Sequence, residues 1–344
     1  MYMSNQVTLE DVAKKAKVSR ATVSRVINAP NTVSKPALER TLKAIKDLNY
    51  SPNRHARALT GQRTQTIGLV FFEEVKSLFG TPFWGQVVNP LYENIVQKGF
   101  ECNLIAQGSF GHDGIGESKI RFYTNFLNSR NVDGFILIGQ PSKEFEASFA
   151  HSHIPMIMFG RPAIEDSEIV YVDSDNQNGA VLAVEHLAIA KKRKRIGIIT
   201  GGMHMIASEI RFAGYKKGLA KVGIDFDISL VAHGDFSLKS GREAMTELLS
   251  RRPDIDGVFI ANDEMAIGAL ETLRENKISV PKDVSVVGFD NTSFSEISRP
   301  SLSTIAHDYE KLGKEIVSAV VKELRGEIPS SKIIPVKLIE RESS

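Results

Sequence analysis

The side chains best suited to chemistry in this chain lie close together near its amino-terminal end, between Ser19 and Asn28. The run Ser-Arg-Ala-Thr-Val-Ser-Arg-Val-Ile-Asn places guanidinium, hydroxyl, methyl and amide groups on one face of a predicted helix. Guanidinium groups form paired hydrogen bonds with guanine, and small methyl groups contact thymine. This face therefore indicates contact with the base edges and phosphates of a DNA groove.

Two short amphipathic helices joined by a tight turn would position that face. Thr8 is the predicted N-cap of the first helix, because Asp11 stands three residues later in the capping-box position, and Ser19 is the predicted N-cap of the second. The apolar residues expected to pack inside are Leu9, Val12, Ala13, Ala16, Val23, Val26 and Ile27. Any small helical bundle with a polar outer face would show the same periodicity, so the pattern alone leaves that alternative open.

The distribution of charge favours a polyanion as the partner of this end of the chain. Residues 1–60 contain 11 Lys and Arg against 4 Asp and Glu, a net charge of +7, whereas the remaining residues carry a net charge of −5. A protein of formal net charge +2 that concentrates its positive charge in one segment has the electrostatic footprint of a nucleic-acid-binding protein.

A third helix and a short basic segment follow. Ser34 would cap the third helix, and its predicted inner face consists of Leu38, Leu42, Ile45 and Leu48. Residues 53–59, Asn-Arg-His-Ala-Arg-Ala-Leu, are too few to form a stable helix alone in water. They form either an ordinary linker or a segment that folds on DNA and inserts a leucine into the minor groove.

From Thr66 onward, short apolar strands alternate with helical stretches, which predicts parallel sheets with helices on both faces. The predicted strands are Ile67–Phe72, Cys102–Ala106, Phe135–Ile138, Met156–Phe159, Ile196–Thr200, Val258–Ile260 and Val284–Val287. The predicted helices are 83–98, 117–129, 177–190, 208–222, 238–251, 264–276 and 309–325. This number of elements favours two half-domains with a cleft between them, because it exceeds one sheet of ordinary size.

Polar and aromatic side chains stand at the ends of several of these strands. Because ligands bind at the carboxyl ends of parallel strands, these side chains predict a ligand site. The residues found there are Phe83, Trp84, Arg161, Asn262, Glu264 and Asp290, with Phe236 in a nearby loop. Carboxylate, amide and guanidinium groups bind hydroxyls and flat rings cover an apolar sugar face, so a sugar is the expected ligand. Each residue also has an ordinary structural alternative: the aromatics as core residues, Asn262 as a helix cap and Asp290 as a loop carboxylate.

The composition is that of an ordinary globular protein. The chain has 344 residues, 42% of them hydrophobic and 24% charged, and it has no apolar run long enough to span a bilayer. The first residues contain no apolar signal segment, and Cys102, the one cysteine, cannot form an internal disulfide. We therefore expect a cytoplasmic protein with an inert, buried thiol. No catalytic or metal-binding motif is convincing, so we expect a binding protein without a cofactor rather than an enzyme.

The motifs are specific enough to indicate a family. Val-Thr-Leu-Glu-Asp-Val-Ala, Val-Ser-Arg-Ala-Thr-Val-Ser-Arg-Val-Ile-Asn and Leu-Asn-Tyr-Ser-Pro-Asn-Arg-His-Ala-Arg-Ala-Leu, all within residues 7–59, resemble the DNA-binding headpiece of the lactose repressor/galactose repressor (LacI/GalR) family. The resemblance extends through nearly the whole chain. Its later motifs are 211–214, 261–268, 284–290 and 302–305.

The resemblance implies a helix-turn-helix headpiece at 1–51, a hinge helix or linker at 52–65 and a two-lobed, periplasmic-binding-protein-like α/β core at 66–344. It also implies that Arg20 and Ala21 read bases and that Leu59 is inserted at the centre of the operator. The chain would cross between lobes near 161, 291 and 325, which gives an N-lobe of about 66–161 and 292–324 and a C-lobe of about 162–291 and 325–344. The expected DNA contacts are Thr8, Ser19, Arg20, Ala21, Thr22, Ser24, Arg25, Asn28, Asn53, Arg54, Ala56 and Leu59. The expected effector contacts are Phe83, Trp84, Arg161, Arg211, Phe236, Asn262, Glu264, Asp290 and His307.

Two positions depart from the family pattern. Lys17, in the turn between the first two helices, and Lys192, after the helix that ends near Ala190, stand where the family often has glycine or asparagine. If either residue has a positive φ, the turn costs roughly 1 kcal/mol or more.

The expected function is a homodimeric repressor of a pseudo-palindromic operator, controlled by a sugar in the cleft. Three alternatives stay open. A nucleobase or a protein co-regulator could replace the sugar, or the chain could be a cytoplasmic sugar-binding protein without a DNA function. An enzyme could also use Asp290 and Glu264 as catalytic carboxylates.

Overall fold

A computed structural model describes residues 7–50, 63–72, 75–106, 131–149 and 154–344. The chain forms two compact units, Met1–Thr64 and Gln65–Ser344. The predicted helix at 117–129 lies outside the described residues. No helix in the described part of the chain is both long enough and apolar enough to cross a membrane.

The amino-terminal unit contains three helices whose starts follow the predicted capping residues. The helices are α1 (Leu9–Ala16), α2 (Arg20–Asn28) and α3 (Lys35–Asp47). In the capping box, the Thr8 amide donates to Asp11 Oδ2 at 2.8 Å, and the Asp11 amide donates to Thr8 Oγ1 at 3.3 Å. The Ser19 hydroxyl accepts from the Thr22 amide at 3.1 Å, so both predicted N-caps are confirmed. Ser34 is the N-cap residue of α3, but its side chain makes no capping hydrogen bond.

The core of this unit contains Val12, Val23 and Ala44, all nearly inaccessible to solvent. The prediction that Leu42 faces this core is wrong, since Leu42 is 51% exposed. The inner face of α3 is instead formed in part by Thr41, whose hydroxyl donates to the Ala37 carbonyl at 2.7 Å, and by Ala44. Ile45 and Leu48 pack against this core as predicted. Thr41 can be buried beside them because its hydroxyl is bonded to its own helix.

The turn between α1 and α2 carries the strain that the sequence suggested. Lys17 has φ of 54° and ψ of 48°, the left-handed conformation that side chains with a Cβ adopt at a cost. The turn is nevertheless closed by two hydrogen bonds, from the Lys17 amide to the Lys14 carbonyl at 3.3 Å and from the Val18 amide to the Ala13 carbonyl at 3.1 Å. Lys192 has φ of 56°, so it adopts the same conformation.

Lys17→Gly is expected to stabilise α1 against local opening by about 1 kcal/mol, because glycine has no Cβ to strain the left-handed turn. Hydrogen exchange of the α1 amides in the full-length protein measures this free energy. Lys14→Gly, an exposed position inside the same helix, is the matched control and should destabilise α1 by about 0.5–1 kcal/mol. A destabilising effect of Lys17→Gly would contradict the strain argument.

Two six-stranded sheets organise the larger unit. Their strands are β1 (Thr66–Phe71), β2 (Glu101–Ala106), β3 (Gly134–Ile138), β4 (Met156–Phe159), β5 (Val170–Ser174), β6 (Ile196–Thr200), β7 (Val231–His233), β8 (Gly257–Ile260), β9 (Ser285–Asp290), β10 (Ser303–Ala306), β11 (Lys332–Ile334) and β12 (Lys337–Ile339). The first sheet has the order β11-β5-β4-β3-β1-β2 and the second β12-β10-β9-β8-β6-β7. Every pair is parallel except β10 with β12, so the predicted parallel α/β architecture is confirmed.

Helices cover the sheets of the two lobes. They are α4 (Val75–Gly80), α5 (Pro82–Gln97), α6 (Lys143–Phe149), α7 (Asn176–Glu185, continued by a π-helical turn, His186–Ala190), α8 (Ile206–Lys221), α9 (Leu238–Arg251), α10 (Asp263–Glu275), α11 (Ser293–Ile297) and α12 (Tyr309–Leu324). Residues of α5 and α12 share one apolar cluster with the first sheet. Helices α9 and α10 pack on one face of the second sheet, and α7 and α8 pack on the other.

Sheet membership corrects the predicted crossings between the lobes. β5 belongs to the first sheet, so the first crossing follows Ser174 rather than lying near 161. β10 belongs to the second sheet, so the second crossing follows Ala306 rather than lying near 291. The third lies between Ile334 and Lys337 rather than near 325. The sheet to which a strand belongs is fixed by hydrogen-bonded neighbours far along the chain, so the order of strands along the sequence does not show where the chain changes lobe.

Candidate nucleic-acid interface and candidate ligand site

The outer face of α2 is open to solvent. Arg20, Ala21 and Arg25 are exposed, and Thr22 and Ser24 are half-buried. The Arg20 guanidinium lies 3.0 Å from Glu10 Oε1, but both side chains are more than half exposed. Exposed ion pairs of this kind contribute at most about 1 kcal/mol, so a phosphate or base could replace Glu10 at little cost.

The hydroxyl groups at the start of α2 have a different role from the arginines. The Ser19 and Thr22 hydroxyls are 2.9 Å apart, and Ser19 also accepts the Thr22 amide. They therefore hold the first turn of the helix in place, whereas the exposed arginines remain available to a ligand. Thr8 contributes through the capping box of α1. The Asn28 side chain and the predicted contacts Asn53, Arg54, Ala56 and Leu59 lie outside the described residues.

In the larger unit, the structure joins five polar residues into one group, which we call the interlobe cluster: Ser174, Asn176, Arg211, Asp290 and His307. Arg211 is its centre, although only 5% of the residue is exposed. Its Nε donates to Asn176 Oδ1 at 2.8 Å, its Nη1 donates to the Ala261 carbonyl, and its Nη2 lies 3.5 Å from Asp290 Oδ1. Burial lowers the pKa of Arg211, and the Asp290 carboxylate opposes that effect.

The guanidinium also stacks on an aromatic ring, with Cζ of Arg211 3.7 Å from the ring centroid of Phe289. A buried arginine that is paired, hydrogen-bonded and stacked keeps one fixed orientation. Arg211 thus joins the start of α7, the end of β8 and the end of β9 on the cleft side of the second lobe.

His307 connects the two lobes. Its Nδ1 and Ser174 Oγ share a hydrogen bond of 2.6 Å, and its Nε2 and Asp290 Oδ1 share one of 3.2 Å. Ser174 ends β5 of the first sheet, whereas Asp290 ends β9 of the second. Because His307 itself lies on the second crossing, a change in the angle between the lobes must alter one of these bonds.

The backbone at Asp290 is held in an unusual conformation. Asp290 has φ of 106° and Asn291 has φ of 53°, both in the region that favours glycine. Strain of this kind costs on the order of 1–3 kcal/mol and persists where neighbours fix it. Here the Tyr309 hydroxyl donates to the Asp290 carbonyl at 3.0 Å. The strained turn aims the Asp290 carboxylate at Arg211 and His307.

A second buried carboxylate, Asp263, fixes the loop that follows Asp290. It accepts hydrogen bonds from the Thr292 amide at 2.7 Å and from the Thr304 hydroxyl at 2.6 Å. Burial and the nearby Asp290 carboxylate raise the pKa of Asp263 to about 8, although these hydrogen bonds lower it. Burial, followed by Asp290, also raises the pKa of Glu264, the next residue in α10.

Asn262 and Phe236 lie together beside the cluster. Asn262 caps α10, because its Oδ1 accepts from the Met265 amide at 3.0 Å, and its Nδ2 donates to the Phe236 carbonyl at 2.9 Å. Phe236 has φ of 73°, and its ring lies over Gly201, where an added Cβ would approach the ring to 2.1 Å. The capping alternative for Asn262 is therefore confirmed, and its amide also holds the Phe236 loop.

Aromatic side chains form a wall on the first lobe. The rings of Phe83 and Trp84 have centroids 4.9 Å apart, at the start of α5. Phe83 lies 6.4 Å from His307 and 6.3 Å from Tyr309, measured between ring centroids. Burial raises the pKa of Tyr309 well above its ordinary value, so its hydroxyl stays protonated and donates. The wall connects α5 with the second crossing between the lobes, at His307 and Tyr309.

Arg161 reaches the cluster through Asp173. Its Nε lies 3.5 Å from Asp173 Oδ2, and Asp173 Oδ1 also accepts from Asn176 Nδ2 at 3.0 Å. Burial raises the pKa of Asp173, and Arg161 opposes that effect. The loop that carries Arg161 is held by the buried Glu146, whose two carboxylate oxygens accept from the Ala163 amide at 2.7 Å and from the Ile164 amide at 3.2 Å.

The electrostatics of this site favour an uncharged ligand. Each arginine described in the site already faces a carboxylate, Arg211 facing Asp290 and Arg161 facing Asp173. An anionic ligand would have to displace one of these partners or be buried without a counter-charge, which is costly. Amides, carboxylates and hydroxyls beside flat rings suit the hydroxyl groups and apolar faces of a neutral sugar.

A cavity of about 690 Å³ borders the second and third crossings between the lobes. Its walls come from α5, from residues 306–310 and from residues 335–337. His307 is the one predicted effector residue among the residues that line it. Because two crossings form part of its walls, its shape depends on the angle between the lobes.

The sequence did not identify every residue of the site. The residues of the site that the sequence analysis did not predict are Asp173, Ser174, Asn176, Asp263 and Tyr309. The run Asp-Ser-Asp-Asn that follows the short apolar segment 169–172 was the available signal for the first three. It was overlooked because β5 was not recognised as a strand. Asp263 is adjacent to the predicted Asn262, and Tyr309 begins a predicted helix.

Two observations concern other kinds of site. In the residues that the structure describes, no group of three or more His, Cys, Asp or Glu side chains is arranged to hold a metal ion. Cys102 is half-buried, and burial raises the pKa of its thiol to about 11, which keeps it in the unreactive protonated form.

Comparison with known proteins covers both units. Residues 8–53 match the lacI family of bacterial regulatory proteins, and residues 184–344 match a periplasmic binding protein-like domain. The HTH-type transcriptional regulator CelR of Thermobifida fusca is 36% identical over 347 residues, which covers 100% of both chains.

Solved structures show the same likeness over nearly the whole chain. The complex of the transcriptional regulator CelR with cellobiose has 34% identity and a TM-score of 0.76, covering 98% of this chain and 100% of the other. The lac repressor dimer bound to operator and the anti-inducer ONPF has 28% identity and a TM-score of 0.85, covering 98% and 99%. These findings confirm the predicted fold class and the predicted resemblance. This protein therefore belongs to the lacI family of bacterial regulatory proteins and is a DNA-binding transcriptional regulator.

Proposed function

We propose that this protein is a homodimeric repressor whose affinity for a pseudo-palindromic operator is controlled by a neutral β-linked gluco-oligosaccharide, such as cellobiose. The observation that carries the proposal is the charge balance of the site: Arg211 of the interlobe cluster faces Asp290, the neighbouring Arg161 faces Asp173, and the aromatic wall lies on the first lobe. The complex of a full-length relative with cellobiose supports this class of ligand.

In this proposal the chain is divided as the resemblance implies, with a headpiece at 1–51, a hinge at 52–65 and a core from 66 onward. Arg20, Ala21 and Arg25 contact bases or phosphates, and Leu59 enters the minor groove between two half-sites. The protein acts in the cytoplasm, where its operator is found. It has no enzymatic activity, since the candidate carboxylates Asp290 and Glu264 serve binding.

The effector would act by favouring one angle between the lobes. His307 bonds Ser174 of one lobe and Asp290 of the other, so a sugar that displaces or strengthens either bond binds the two lobe arrangements with different affinity. Only such a difference in affinity can shift the population of arrangements. The shift alters the separation of the two headpieces in the dimer and thereby the affinity for the operator.

The test uses full-length protein and an operator selected from random duplexes. Fluorescence anisotropy should show specific binding that cellobiose changes by at least about tenfold, whereas glucose 6-phosphate and adenine should have no effect. The intensity or wavelength of Trp84 emission should change over the same cellobiose range, since Trp84 is the single tryptophan and lies in the aromatic wall. A response to the phosphate or the base instead of the neutral sugar would contradict the assigned ligand class. Absence of sequence-specific binding would contradict the assigned operator function.

A further inference from the structure

Arg341, which lies outside the interlobe cluster, holds the loop that follows Asp290. It comes shortly after β12, and only 14% of its side chain is exposed. Its Nη2 donates to Asn291 Oδ1 at 2.8 Å. Its Nη1 donates to the Leu302 carbonyl at 2.8 Å and to Ser295 Oγ at 3.1 Å. One largely buried guanidinium group therefore binds three separate points around this loop.

The side chain of Asn291 depends mainly on Arg341. The Ser295 hydroxyl lies 3.4 Å from Asn291 Oδ1, but it also donates to the Thr292 carbonyl at 2.6 Å. Because a hydroxyl has one proton, the shorter bond takes it, and Arg341 remains as the donor to Asn291 Oδ1. The ion pair of Arg341 with Glu296, at 3.4 Å, adds little, since the Glu296 side chain is 69% exposed.

The backbone at Asn291 needs this support. Asn291 has φ of 53° and follows Asp290, which has φ of 106°. Asparagine tolerates such a conformation better than most residues, but neighbours must still fix it. The Asn291 amide donates to Thr304 Oγ1 at 3.3 Å, and its carbonyl accepts from Gln86 Nε2 of the first lobe at 3.0 Å. The turn is therefore held by its own sheet, by the first lobe and by Arg341.

This turn sets the direction of the Asp290 carboxylate. Asp290 Oδ1 lies 3.5 Å from Arg211 Nη2 and 3.2 Å from His307 Nε2. Because Asp290 and Asn291 share one planar peptide unit, a movement of Asn291 turns the backbone of Asp290 with it. Both contacts of the carboxylate would then change. The bond from Arg341 to Asn291 thus connects the segment after β12 with the centre of the candidate ligand site.

We propose that Arg341 is a positioning residue for the effector site, which holds Asn291 so that the Asp290 carboxylate keeps the direction that effector binding requires. This inference rests on the proposed function, because it assumes that a sugar binds beside Asp290. It goes beyond that function by assigning a role to a residue outside the predicted site, 50 positions after Asn291 in the chain.

Titration calorimetry of the full-length protein with cellobiose tests the proposal in two backgrounds, wild type and Asn291→Gly. Glycine adopts a positive φ freely but has no Oδ1 for Arg341. Arg341→Met should weaken cellobiose binding about tenfold or more in the wild-type background, as expected for the loss of a hydrogen bond from a charged group. Asn291→Gly should weaken binding to a similar extent. Adding Arg341→Met to Asn291→Gly should then weaken it by less than about twofold further, because the shared bond is already absent.

Arg299→Met is the matched control. Arg299 is exposed and donates to the carbonyls of Ile297 at 3.3 Å and Ser298 at 2.8 Å, within its own loop. Its loss should leave cellobiose binding within about threefold of wild type. Urea unfolding of each variant shows whether its core is folded under the conditions of the titration. If Arg341→Met does not fold, Arg341→Lys gives the same comparison, since lysine keeps the charge but not the fork of donors.

The outcomes separate the inference from the proposed function. If wild type binds cellobiose but Arg341→Met or Asn291→Gly binds it equally tightly, the inference is wrong and the proposed function stands. An equal loss from Arg341→Met in both backgrounds would also overturn the inference, because Arg341 would then support the lobe through Ser295 and Leu302 instead. Wild type that does not bind cellobiose would overturn the proposed ligand, and the inference with it.

Discussion

Arg211→Met should lower the free energy of unfolding of the core by about 3–5 kcal/mol and abolish the effector response. The substitution keeps much of the side-chain volume but leaves Asp290 buried without its cation, beside Asp263. It also removes the hydrogen bonds to Asn176 and to the Ala261 carbonyl. Urea unfolding followed by Trp84 fluorescence measures the stability, and operator anisotropy with and without cellobiose measures the response.

The control for this prediction is Arg242, a more exposed arginine that is paired with carboxylates. Arg242 pairs with Glu271 at 2.6 Å and with Glu275 at 2.8 Å, but its side chain is 41% exposed. Arg242→Met should therefore cost less than about 1 kcal/mol and leave the response intact. Arg211→Lys keeps the positive charge but cannot contact Asn176, the Ala261 carbonyl and Asp290 in the geometry of a guanidinium group. This variant should therefore fold and still weaken cellobiose binding about tenfold or more. An unchanged response in Arg211→Lys would show that the geometry of this side chain is not needed.

Arg20→Ala should weaken binding to the selected operator by about 10- to 100-fold, because a paired contact to guanine contributes roughly 1–3 kcal/mol of discrimination. Binding to unrelated DNA should fall much less, since that binding depends on phosphate contacts in general. The fold should be unaffected, because the Arg20 side chain is 74% exposed and its ion pair with Glu10 is exposed as well. Anisotropy on both duplexes over a range of salt concentrations gives the two affinities.

Arg40→Ala provides the comparison within the same unit. Arg40 is also exposed, but it lies on α3 rather than on the outer face of α2. Its loss should reduce affinity for both duplexes alike and change the slope of affinity against salt by no more than about one unit. If Arg20→Ala lowered both affinities equally, Arg20 would be a phosphate contact and the base-reading role would be wrong.

Local features of the sequence predicted the local structure of both units. The N-caps at Thr8 and Ser19 and the helix periods each depend on residues within about one turn of one another. Apolar runs predicted β1, β2, β3, β4, β6, β8 and β9, but not the inner strands β5 and β10. The same reasoning was wrong at Leu42, because its spacing is typical of a buried face but the side chain is exposed. Thr41, whose hydroxyl donates to the Ala37 carbonyl, is buried instead.

The candidate ligand site was predictable in its residue types rather than in its contacts. Strand ends and family motifs identified Arg211, Asp290 and His307, and the structure joins them directly. No pattern in the sequence indicated that Asn176 would bind Arg211 or that Asp173 would face Arg161. These partners come from β5 and the start of α7, and only the first three residues of β5 are apolar or aromatic before the strand ends in Asp173 and Ser174.

By itself, the sequence determined the family, the helix-turn-helix face and the set of groups available to a ligand, because types and spacings along the chain express them. Only the tertiary structure decided where the chain crosses between the lobes, which carboxylate balances which arginine and why Asp290 adopts a positive φ. The physical reason is distance along the chain. Sheet order and buried ion pairs join residues separated by tens to hundreds of positions, and their energies depend on burial that exists only after both lobes have folded.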